Sequence, residues 1–163
     1  MKTLLLMRHG KSSWSEEALA DHDRPLKKRG QDAADRIGLL LSESKLVPDH
    51  IQTSSAVRAL ETTQRVIQAA KWIGDAEVVP ALYHADPKSL VAIVSRVPNR
   101  VDRLLVVGHN PGLENWLTCL IGRIETFPTA ALAQVELDIE SWIDLAPETR
   151  GTLEQLWRPK ELS

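Results

Sequence analysis

Continuous apolar runs alternate along the chain with stretches in which apolar residues recur every three or four positions. The continuous runs, together with short runs of alternating polarity, predict strands at 3–7, 50–54, 77–80, 103–108, 134–139 and 151–159. The helical spacing predicts helices at 29–43, 56–70, 87–97 and 111–121. Strands that alternate with helices in this way are typical of an α/β fold.

The predicted strands are of two kinds. TLLLM at 3–7 and RLLVVG at 103–108 are apolar throughout, as strands of a parallel sheet covered on both faces are. QVELDI at 134–139 alternates apolar and polar residues, as a half-solvated strand does. We expect this strand and the last one, at 151–159, to pair antiparallel at an edge of the sheet.

Composition and charge narrow the possible functions. The 163 residues indicate one domain, and a net charge of −2 does not favour a nucleic-acid or membrane-surface partner. The only cysteine, Cys119, excludes an intrachain disulfide, fits a reducing compartment and is expected in the core. TLLLM is too short for a signal peptide, and no apolar run approaches the ~20 residues that cross a bilayer. We therefore expect a soluble, cytoplasmic protein.

Chemically useful side chains gather where predicted strands end. Ligands of open parallel sheets bind beyond the carboxyl ends of the strands. Three such ends carry basic or small polar residues, namely Arg8, His9 and Gly10, then Ser54 and Arg58, then His109 and Asn110. We expect the two histidines and two arginines to meet on one rim and to bind an anion.

Each of these residues, taken alone, has an ordinary structural explanation. Arg58 lies in the first turn of a predicted helix, where a cation is unfavourable, so it either pairs with Glu61 or helps to bind an anion. His9 alone fits a buried, hydrogen-bonded histidine, and Asn110 with Pro111 fits a common helix start. The three strand ends taken together favour the anion site.

Four segments carry a more specific resemblance: RHGKSSW, DHDRPLKKRG, TSSAVRALETT and LLVVGHNPGLE. They resemble the histidine phosphatase (phosphoglycerate-mutase-like) superfamily, and within it the small bacterial SixA-like phosphohistidine phosphatases. The resemblance implies one histidine phosphatase domain over residues 1–163. Its fold would be a single-domain three-layer α/β/α sandwich with a mostly parallel sheet and an antiparallel edge.

The resemblance also implies roles for individual residues. His9 would be the nucleophile, Arg8 and Arg58 would hold the phosphoryl oxygens, His109 would be the second histidine of the pocket, and Arg24 a further phosphate ligand. Substrate contacts are also expected near three other residues, Gly10, Ser54 and Asn110. The family uses no metal and no cofactor.

Two features argue against a sugar-phosphate mutase. Lys11 stands where mutases often carry an acid, and Ser15 stands where asparagine commonly follows their tryptophan. The mutases' proton-donating glutamate has no clear counterpart either. Asp86 is the nearest candidate for a general acid, followed by Glu61. A missing acid favours a substrate with a P–N bond, because a protonated phosphoimidazole can leave as neutral imidazole.

The chemistry requires an uncharged nucleophile. Arg8 and Arg58 would lower the pKa of His9, because neighbouring cations disfavour the imidazolium. We expect Nδ1 of His9 to donate to a backbone carbonyl and Nε2 to attack phosphorus in line. His109 would donate to a phosphoryl oxygen, and water would hydrolyse the covalent phosphohistidine.

Three functions remain open. The leading hypothesis is a metal-independent phosphatase that acts on phosphohistidine in a protein, such as a histidine-containing carrier domain. The second is a phosphatase of small phosphate esters with the same mechanism, and the third is a non-catalytic phosphate-binding module. Near the site, Trp14 is expected to pack rather than to line the pocket. Lys27, Lys28 and Arg29 are read as a solvated helix start, with guidance of an acidic protein partner as the alternative.

Overall fold

Six strands form one mixed sheet in the computed structural model, which describes residues 1–15 and 18–161. The strands are β1 (Lys2–Arg8), β2 (His50–Thr53), β3 (Glu77–Val78), β4 (Arg103–Gly108), β5 (Leu132–Leu137) and β6 (Gly151–Trp157). The helices are α1 (Lys28–Glu43), α2 (Val57–Ala70), α3 (Pro87–Val94) and α4 (Gly112–Ile121). None of the helices in the described part of the chain has both the length and the apolar character that crossing a membrane requires.

The strand order is β3-β2-β4-β1-β5-β6. The first four strands in this order pair parallel to one another, and β5 pairs antiparallel with both β1 and β6. The mostly parallel sheet and its antiparallel edge were predicted, and both are confirmed. The two central strands are β1 and β4, which are also the two most continuous apolar runs.

Helices cover both faces of the sheet, because successive side chains of a strand point to opposite sides. Leu4 and Leu6 pack in the cluster that contains the buried side chains of α3 and α4. Leu5 and Met7 pack in the other cluster, with those of α1 and α2. This arrangement is the predicted three-layer α/β/α sandwich.

Some predicted boundaries were wrong. The third strand ends at Val78 rather than at residue 80, because a 3₁₀ turn begins at Pro80. Helix α3 ends at Val94 rather than at residue 97, since the residue before Pro98 is disfavoured in the helical conformation.

Cys119 is exposed, so the prediction that it lies in the core was wrong. The buried residues of α4 include Trp116, Leu117 and Leu120, and they form one stripe along the helix. Cys119 lies two residues after Leu117 and one before Leu120, and because each residue turns the helix by about 100° it points away from the middle of this stripe.

The carboxyl ends of β1, β2 and β4 lie side by side. Met7 pairs with Val107, and Thr53 pairs with Val107 from the other side. The loop after β1 is then pressed against the start of α1, where a Cβ atom on Gly10 would lie 2.7 Å from the carbonyl oxygen of Gly30. Glycine therefore allows the backbone after His9 to approach the helix closely.

Candidate active site

A pocket of about 240 Å³ opens beyond these three strand ends. Among the described residues, its lining consists of Arg8, His9, Lys11, Ser12, Trp14, Arg24, Arg58, His84, His109, Asn110 and Thr129. The structure thus brings both predicted histidines and all three predicted arginines to one pocket. Asn110 also lines the pocket, whereas Gly10 and Ser54 do not belong to its described lining; each lies within hydrogen-bond distance of a pocket histidine, Gly10 of His9 and Ser54 of His109.

His9 has the protonation expected of a nucleophile. Its Nδ1 lies 2.7 Å from the carbonyl oxygen of Gly10, and because a carbonyl only accepts, Nδ1 carries the proton. The predicted tautomer is therefore confirmed. The Nε of Arg58 donates to His9 Nε2 at 3.3 Å, so the Nε2 lone pair faces a cation.

Burial and positive charge keep the His9 imidazole neutral. Desolvation, the largest cause, acts together with the charges of Arg58, Arg8 and Arg24 against the hydrogen bond to Gly10, and the pKa of His9 is lowered to about 4. The Gly10 amide donates to the hydroxyl of Thr62 at 3.0 Å, which fixes the backbone beside the ring. At neutral pH the imidazole is therefore uncharged, with its one ring proton on Nδ1, and it is held in place.

His109 lies opposite His9, with 5.1 Å between the ring centroids. Its Nε2 is 2.7 Å from the Ser54 hydroxyl, which already accepts the amide of Ala56. A hydroxyl can donate one hydrogen bond while it accepts another, so Ser54 can donate to Nε2, and in that arrangement Nδ1 of His109 carries the ring proton. Nδ1 is buried and has no partner among the described residues, which leaves an N–H group available to an oxyanion.

The two buried histidines predict a loss of stability in acid. Burial lowers the pKa of His9 to about 4 and that of His109 to about 3, against 6.5 for a free side chain. Below pH 6.5 the unfolded chain binds protons that the folded chain does not, so the free energy of unfolding falls between pH 7 and pH 5. We expect a loss of about 1–2 kcal/mol for each histidine.

Urea unfolding at the two pH values measures this loss. His109→Gln should lose less stability than the wild type between pH 7 and pH 5, because one of the two histidines is gone. An equal loss in both proteins would contradict the assignment.

Asp21 organises the arginines, a role that sequence reasoning missed. Its carboxylate accepts from Arg24 at 3.0 Å and from Arg58 at 3.0 Å, and the Tyr83 hydroxyl donates to it at 2.6 Å. These donors, Tyr83 first, hold the pKa of Asp21 well below its usual range. One feature of the sequence could have indicated this role. Asp21 stands three residues before Arg24, which is the spacing of an ion pair within one helical turn.

Arg24 and Arg8 complete the cationic wall in different ways. Arg24 bonds the Ser12 hydroxyl at 2.9 Å, and its guanidinium lies 3.4 Å from the ring centroid of Trp14. Trp14 is 73% exposed and lines the pocket, so the expectation that it packs was wrong. The Nε of Arg8 is buried and has no partner within the described chain, whereas its Nη1 is 3.4 Å from the carbonyl oxygen of Phe127.

Each of the two candidate acids accepts a hydrogen bond from a backbone amide. Glu61 accepts the Leu26 amide at 2.8 Å, and Arg58 pairs with Asp21 rather than with Glu61. Asp86 accepts the Ser89 amide at 2.8 Å as the cap of α3, and this bond lowers its pKa. Neither carboxylate belongs to the described lining of the pocket.

The side chains of the pocket suit a phosphoryl group better than a metal ion. The described residues contain no cluster of three or more histidine, cysteine, aspartate or glutamate side chains that could hold an ion. The pocket instead presents three guanidinium groups, which suit a phosphoryl group because each can form two parallel charge-assisted hydrogen bonds.

Comparison with known proteins decides the family. The model of the histidine phosphatase superfamily (branch 1) matches residues 4–86. An uncharacterized protein of Mycobacterium tuberculosis is 34% identical over 152 residues, which span 86% of this chain and 92% of that protein. The chain belongs to the histidine phosphatase superfamily.

Solved structures of this superfamily share the whole fold. The protein histidine phosphatase SixA complexed with tungstate superimposes with a TM-score of 0.84 at 27% identity, over 99% of both chains. A proposed phosphohistidine phosphatase SixA from Agrobacterium tumefaciens gives a TM-score of 0.79 at 26% identity, over 97% of this chain and 99% of the other. Family membership and these likenesses support a phosphatase activity for this histidine phosphatase.

Proposed function

We propose that the protein hydrolyses phosphohistidine in other proteins through a covalent phosphoryl group on His9. The observation that carries this proposal is the neutral His9 ring, with an unprotonated Nε2 that faces a pocket containing three arginines. A non-catalytic phosphate-binding module would not need a nucleophile kept uncharged beside so many cations.

The reaction follows from the contacts in the pocket. The phosphoryl oxygens bind Arg8, Arg24 and Arg58, so that Arg58 turns from His9 Nε2 to the substrate. Nε2 attacks phosphorus and a new N–P bond forms, while the N–P bond of the protonated phosphoimidazole breaks. Its electron pair returns to the leaving nitrogen, so the substrate imidazole departs neutral. The N–H group of His109 stabilises the charge on the oxygens in the transition state. Water then attacks phosphorus, which releases phosphate and restores His9.

The lining of the pocket favours a P–N bond over an ester. An alkoxide leaving group needs a proton, and the described lining residues include no carboxyl group that could supply it. A phosphoimidazole that is already protonated has no such need. The resemblance to SixA structures supports the same substrate class.

A substrate comparison tests the proposal. A histidine peptide phosphorylated with phosphoramidate should be hydrolysed with a kcat/KM at least about tenfold above that for p-nitrophenyl phosphate. Hydrolysis of the ester alone would overturn the phosphohistidine assignment in favour of small phosphate esters. If neither substrate is hydrolysed and no acid-labile phosphoryl group forms on the protein, the protein is a phosphate-binding module.

A further inference from the structure

A second, larger groove of about 480 Å³ adjoins the catalytic pocket. The two share Arg8, Lys11 and Thr129, so a ligand can extend from one into the other. The cations that line it are Arg8, Lys11, Arg29, Arg36 and Lys160. We call it the basic groove.

Three separate segments contribute to the basic groove. Lys11 comes from the loop after β1, Arg29 and Arg36 lie two turns apart on α1, and Lys160 lies in the 3₁₀ turn after β6. The four side chains are exposed, and none forms an ion pair with a described residue. The only acid among the described lining residues is Asp32, and Lys28 neutralises it at 2.9 Å.

This concentration of positive charge is not explained by the fold. The chain as a whole carries a net charge of −2, yet five cations gather beside the catalytic pocket. Helix α1 has no acid in its first turn, where Arg29 faces the positive end of the helix dipole. The charge of Arg29 is unfavourable at this end of the helix, and no acid of the first turn compensates for it. This arrangement points to an anionic ligand.

The exposure of these side chains favours a protein as that ligand. Sites for small molecules hold them with a few buried, well-placed polar groups, whereas Lys11, Arg29, Arg36 and Lys160 stand in solvent. Exposed charges of this kind match the rim of a protein interface, where they speed association and select partners.

We propose that the basic groove binds acidic side chains of the phosphorylated protein next to the phosphohistidine that occupies the catalytic pocket. This inference rests on the proposed function. It extends that function by giving the partner a chemical signature: glutamate or aspartate side chains on the same surface as the phosphohistidine.

Matched peptides test the proposal. One phosphohistidine peptide carries three flanking glutamates, and the other carries three flanking lysines. Wild-type protein should hydrolyse the glutamate peptide with about tenfold higher kcat/KM, a preference that should shrink in 0.5 M NaCl because exposed charges are screened. The variant R29E/R36E should lose or invert this preference, mainly through KM.

The variant R96E/R100E is the control, because it makes the same charge change at exposed arginines that line a different pocket. It should keep the wild-type preference. The proposal is overturned if the wild type shows no preference or if the control loses it equally. It is also overturned if R29E/R36E slows p-nitrophenyl phosphate as much as the glutamate peptide.

Binding of the unphosphorylated glutamate peptide, followed by fluorescence anisotropy, tests the basic groove without catalysis. The basic groove is supported if the peptide binds the wild type and R96E/R100E equally well but binds R29E/R36E more weakly. This result would support the groove even if no phosphohistidine peptide is hydrolysed, because the absence of hydrolysis would overturn only the proposed function. The proposal is overturned if the peptide does not bind but inorganic tripolyphosphate binds the wild type and no longer binds R29E/R36E. The basic groove would then be a site for a small anion.

Discussion

His9→Ala is expected to lower kcat for a phosphohistidine peptide at least about 10³-fold, because the proposed reaction transfers the phosphoryl group to Nε2 of His9. The arginines would remain, so KM should change much less than kcat. After rapid quenching the wild type should carry an acid-labile phosphoryl group, and the variant should carry none.

His50→Ala provides the control, because His50 pairs with Glu77 at the far edge of the sheet and does not line the pocket. It should retain turnover and the labelled intermediate. If His9→Ala still formed an acid-labile phosphoryl group, another residue would be the nucleophile and the proposed mechanism would be wrong.

Arg58→Lys is expected to lower kcat/KM about 10²–10³-fold. Arg58 contacts His9 Nε2 through Nε while its two other nitrogens reach the backbone and carboxylate of Asp21. A lysine keeps the positive charge but cannot form this planar fork, so the phosphoryl oxygens would lose a bidentate partner. Steady-state kinetics with the phosphohistidine peptide measures the loss.

Arg65→Lys is a matched control on the same helix. Arg65 also forms a two-point contact with an aspartate, with bonds of 2.9 and 2.7 Å to Asp35, but it lies outside the pocket. Its replacement should change kcat/KM by no more than about twofold. Equal losses in the two variants would mean that Arg58 acts through the stability of α2 rather than through the substrate.

Asp21 gives these arginines their geometry before substrate arrives. One carboxylate holds Arg24 and Arg58 at 3.0 Å each, and the Tyr83 hydroxyl donates to the same oxygen, Oδ2, as Arg58. Guanidinium groups that are already in place need little reorganisation when a phosphoryl group binds, which is how a fixed polar site lowers a barrier.

Much of the fold and the core of the pocket could be predicted from local patterns. The continuous apolar runs at β1 and β4 predicted parallel strands covered on both faces, and the alternating run at β5 predicted the antiparallel edge. Parallel strands place their carboxyl ends on one rim, so the residues after β1, β2 and β4 had to come together. Arg8, His9, Arg58 and His109 were therefore found without coordinates.

Other features depended on contacts between distant segments. Tyr83 reaches Asp21 across 62 positions, and Trp14 lies over Arg24 in a loop whose conformation no periodic pattern encodes. The basic groove joins Lys11 to Lys160, and neither residue stands out in its own segment.

The sequence alone thus determined the layers, the mostly parallel sheet with its antiparallel edge and the residues at the strand ends, because these follow from backbone periodicity within each segment. Only the tertiary structure decided which carboxylate holds the arginines, that Trp14 lies over Arg24 and where unpaired cations collect. Those outcomes depend on side-chain distances of about 3 Å between segments far apart in the chain, and such distances are set by packing.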